Sequence, residues 1–80
     1  MNGQVPDQGF NLTTGDGVAE LEVHVQCRLG GQLRDFRVVV TDRGVILRGQ
    51  AYTYYTKQLA QHAVMEAIKL PIVANEIEVA

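Results

Sequence analysis

The order of patterns over residues 36–79 constrains this chain more than any other feature. Phe36-x-Val38-x-Val40 alternates with period two, Asp42-Arg43-Gly44 carries turn chemistry, and Val45-x-Leu47-x-Gly49 alternates again. Apolar residues at every second position line one face of a strand, and glycine supplies the positive φ that a tight connection needs. These runs predict a β-hairpin. Phe36, Val38, Val40, Val45 and Leu47 are its expected buried face, and Arg37, Val39, Thr41 and Ile46 its opposite face. That second face is not purely polar, so it is either partly covered or adhesive.

Over 53–70 the period changes. Ala60, Ala63, Val64, Ala67 and Ile68 make a stripe at helical spacing opposite Gln58, His62 and Lys69. Thr53 is the expected N-cap, and Pro71 the stop. A last alternating run, 73–79, predicts a strand with Ile77 and Val79 facing in. The segment 18–29 reads two ways. Leu21, Val23, Val25, Cys27 and Leu29 alternate as a strand would, while Val18, Leu21, Val25 and Leu29 share one helix face. Asp16 as N-cap, Glu20 and Glu22 in the first turns, and Arg28 before Gly30 suit a helix. Pattern alone leaves the two readings level.

With these signposts in place, the chain resembles the BON domain, a small αββαβ module named for bacterial osmotically inducible and nodulation proteins. The residues that carry the likeness are Val38-x-Val40, Val45-x-Leu47-x-Gly49, Ala60, Ala63 and Ala67, and Val73-x-Asn75-x-Ile77-x-Val79. Residues 18–29 correspond to the family's first helix, which tips that segment to helix. Where the family carries a Gly-Val pair between the second helix and the final strand, this chain has Lys69-Leu70-Pro71. The resemblance implies an α+β fold in the order αββαβ, a three-stranded sheet with two helices packed on one face. It also implies a non-catalytic module that tethers to phospholipid membrane surfaces or envelope components. A protein–protein interaction or self-association domain without lipid binding is the alternative.

The length of 80 residues allows one domain, read as a flexible tail over 1–16 and a BON-like domain over 17–80. Gly3, Gly9, Gly15 and Pro6 make the tail a poor candidate for burial. The chain has no tryptophan and five Phe or Tyr residues, so Val, Leu, Ile and Ala must fill the core. A net charge of −2 argues against nucleic acid, whose phosphates call for a basic surface. Arg34, Arg37, Arg43 and Arg48 do gather around the hairpin, where they read as the solvated outer face of a sheet.

His24, Cys27 and His62 lack the spacing of a zinc site, so no metal and no cofactor is expected. His62 and Glu66 are four apart and read as a solvent-facing helix pair rather than a catalytic one. No enzyme activity is expected. The opening residues lack the basic start and apolar stretch of a signal peptide, and no run approaches a membrane span of about 20 residues. The chain therefore reads as soluble as given; its location is left unknown, with the resemblance suggesting periplasm or membrane periphery.

Under a binding role the candidate contacts are Tyr52, Tyr54 and Tyr55 at the start of the second helix, with Lys57 and Arg48 near them. Tyrosine suits a surface that is half apolar and half wet. Gly44, Gly49 and Asn75 are expected to serve structure: the turn, a close approach or bulge, and a tie to local backbone. The partner is a phospholipid surface or a protein, and a homo-oligomer stays open.

Overall fold

The computed structural model describes residues 10–80. Its elements run α1 (Gly15–Leu29), a 3-10 turn (Gly30–Gln32), β1 (Leu33–Thr41), β2 (Gly44–Ala51), α2 (Tyr54–Ala67), β3 (Ile72–Asn75) and β4 (Glu78–Val79). β1 and β2 form the antiparallel hairpin, and β3 and β4 both run parallel to β2 along its other flank. Parallel pairing needs a crossover, and α2 provides it. The class is α+β, as the sequence implies.

Residues 18–29 are helical. α1 buries Leu21 and Val25 and leaves Val23 60% exposed, so the period-two pattern there is incidental. The N-cap is Thr14 and not Asp16: the Thr14 hydroxyl accepts from the Gly17 amide at 3.1 Å. Asp16 sits instead in the first turn, where its charge opposes the positive helix end. Of the tail expected over 1–16, residues 1–9 lie outside the described residues. Phe10 and Leu12 pack against the core.

α2 begins as expected at its N-cap Thr53, whose hydroxyl accepts from the Thr56 amide. It ends at Ala67, three residues earlier than the pattern suggested, because Ile68 turns extended and enters the core. Ala60, Ala63 and Val64 are buried as the stripe requires, and Thr56 joins them at 3% exposure. The small alanines let α2 lie close over the sheet.

The inner face of the hairpin carries Leu33, Phe36, Val38, Val45, Leu47 and Ala51, all buried with Leu21, Val25 and the α2 stripe in one cluster. Val40 departs from expectation at 40% exposure. It lies at the turn end of an edge strand and has a strand neighbour on one side only. The single last strand also needs correction, because it is split into β3 and β4. The Asn75 side chain accepts from the Ile77 amide at 3.2 Å, and this short loop interrupts the ladder. Ile77 is buried as expected. Val79 is not: it pairs with Ala51 at the rim of the sheet and keeps 43% exposure.

Two glycines make the sheet possible. Register shifts by one residue between Arg34 and Arg37, a bulge in which Asp35 takes a φ of 53°. Gly49 lies opposite with a φ of 149°, and a Cβ there would stand 3.0 Å from the Arg34 carbonyl oxygen and 3.2 Å from the Phe36 Cα. Gly44, with a φ of 146°, admits the incoming backbone of the crossover. A Cβ on it would run into the Pro71 carbonyl oxygen, which instead accepts from the Val45 amide at 2.9 Å.

The free edge of β1 is not left open. Glu22 of α1 accepts from the Val38 amide at 2.9 Å, and Gln26 accepts from the Phe36 amide while donating to the Leu33 carbonyl. Side chains of a helix thus take the place of a neighbouring strand, and an edge covered in this way resists pairing with other chains.

Two outcomes follow from this arrangement. Gly49→Ala is expected to cost about 2 kcal/mol through strain at a glycine-only conformation, lowering Tm by roughly 8–16 °C in a thermal melt. The double change Glu22→Ala with Gln26→Ala is expected to cost about 2–3 kcal/mol from orphaned edge amides. It should also produce concentration-dependent association in sedimentation velocity, through the uncovered edge.

Candidate functional site

Three tyrosines crowd one end of the molecule. Tyr52 follows β2 and is held by its amide, which donates to the Gln32 carbonyl at 3.1 Å. Tyr54 and Tyr55 occupy the first turn of α2, immediately after its Thr53 cap. All three rings are exposed, at 53%, 62% and 70%. The Tyr54 hydroxyl accepts from Gln58 one turn along the helix, at 2.6 Å. Lys57, half-buried, lies on the same first stretch of α2. Of the segments that meet here, Gly30–Gln32 and residues 52–65 contain no Asp or Glu, while Asp35 follows Arg34.

Arg48 is not brought to this end. It lies four residues before Tyr52 on a strand, a separation of about 13 Å, and its Nε pairs with Glu76 at 3.1 Å. The arginine that does accompany a tyrosine is Arg34, which lines a small cleft with Gln50, Ala51, Tyr52 and Ala80. Sequence alternation missed Arg34 because it did not place the bulge. The signal available was the spacing of three in Leu33-x-x-Phe36, followed by two in Phe36-x-Val38.

The outer face of the sheet is bare, since both helices pack on the inner one. Arg37 stands directly opposite Arg48 on it, Val39 opposite Ile46, and Arg34 opposite Gln50. Val39 is 39% exposed and Val73 48%. The mixed polar and apolar second face expected from the sequence is therefore uncovered.

Gly44 and Gly49 act on the backbone, as described above. Asn75 reaches into α2: its amide donates to the Lys57 carbonyl at 3.2 Å and to Gln61 Oε1 at 3.1 Å, and its oxygen takes the Ile77 amide. One side chain thus fixes the β3–β4 break to the helix that presents the tyrosines. Glu66 does not pair with His62; it bonds Arg28 across the helices at 3.2 Å. Phe10 packs against His24 with the ring planes tilted by 49° and a centroid separation of 5.3 Å.

A groove of about 440 Å3 runs between residues 10–13 and 67–70, and no His, Cys, Asp or Glu lines it. Among the described residues, no three His, Cys, Asp or Glu side chains stand together in a way that would hold a metal. No described helix is long and apolar enough to cross a membrane. Asn75→Ala is expected to cost about 2 kcal/mol and to shift the amide resonances of Gln58 and Ile77. Asn75→Asp, which keeps only the acceptor, should lose most of the same stability in chemical denaturation.

No protein-family model, no curated protein and no solved structure matches this chain, so its own geometry carries the functional argument.

Proposed function

We propose that the chain is a non-catalytic binding module that attaches to phospholipid surfaces or envelope components through its tyrosine end. The observation that carries this reading is the full set of Tyr52, Tyr54 and Tyr55, each more than half exposed and side by side in sequence. Packing does not account for them, because the core is closed by aliphatic residues, one phenylalanine and one threonine. A tyrosine ring in a headgroup layer removes apolar area from water while its hydroxyl stays wet. Lys57 and the nearby Arg34 add positive charge, and residues 52–65 bring no Asp or Glu against Lys57. A local basic balance of this kind lets a chain of net charge −2 approach anionic lipid. The likeness to the BON pattern points the same way.

Cosedimentation tests it. Binding to vesicles of phosphatidylcholine with phosphatidylserine is expected, weaker without the anionic lipid and weaker as salt rises. Lys57→Gln should reduce affinity about five-fold, and Tyr54→Ser with Tyr55→Ser about ten- to thirty-fold, with unchanged circular dichroism. A chain that ignores vesicles of every composition contradicts the lipid reading. If that chain also forms concentration-dependent oligomers, the module is a protein–protein interaction domain instead.

A further inference from the structure

We draw no further inference here: the strongest candidate, the apolar groove between residues 10–13 and 67–70, offers a single charged side chain, Lys69, and nothing in the structure shows what covers it.

Discussion

The hold of α1 on the free edge of β1 is the interaction on which the rest of the structure depends. A helix laid across the rim of a sheet would leave the edge amides without partners unless its own side chains supplied them. Glu22 and Gln26 do so for Val38, Phe36 and Leu33. Leu21 and Val25, one position before each, can therefore enter the core over the same strand. One helical turn thus serves two chemistries at once, polar toward the edge and apolar toward the face.

That arrangement decides which surfaces remain for a partner. The inner face is filled by both helices, and the β1 edge is occupied as far as Val38. The outer face and the tyrosine end stay open, and the tyrosine end is richer in apolar groups than a purely solvated surface needs. The core is a single aliphatic layer with one phenylalanine, and a layer of that size supports only modest stability. A ligand that binds only the folded chain adds to it by mass action. Stability and attachment are linked in a protein of this size.

Much of this was legible from residue order. Alternation around Asp42-Arg43-Gly44 marks the hairpin, and the stripe from Ala60 to Ile68 marks α2. The resemblance resolves 18–29, where local pattern could not. What escaped did so for identifiable reasons. Asp16 and Thr14 are both good caps, and the structure uses Thr14, which leaves Asp16 in the first turn. Val40 and Val79 obey the alternation but fall at edges, and sequence does not say where a sheet stops. Asn75 was visible as a backbone tie, but its reach to Lys57 and Gln61 depends on tertiary geometry. The tyrosines were read as candidate contacts at the start of the second helix, and the structure leaves all three exposed there. Arg48 was grouped with them by proximity in sequence, although its strand carries it to the open face and to Glu76. The opposition of Arg34 and Gln50 depends on a bulge that no local pattern reports.

Amide hydrogen exchange on the native chain tests the central claim most directly, because it compares neighbouring edge positions of one strand. The Val38 amide, bonded to Glu22, should exchange about as slowly as the hairpin amides of Arg37 and Val39, which point toward β2. The Val40 amide lies on the same edge beyond the reach of α1 and should exchange orders of magnitude faster. If Val38 exchanges at the rate of Val40, α1 does not hold the edge of the sheet, and the assignment of the open surfaces falls with it.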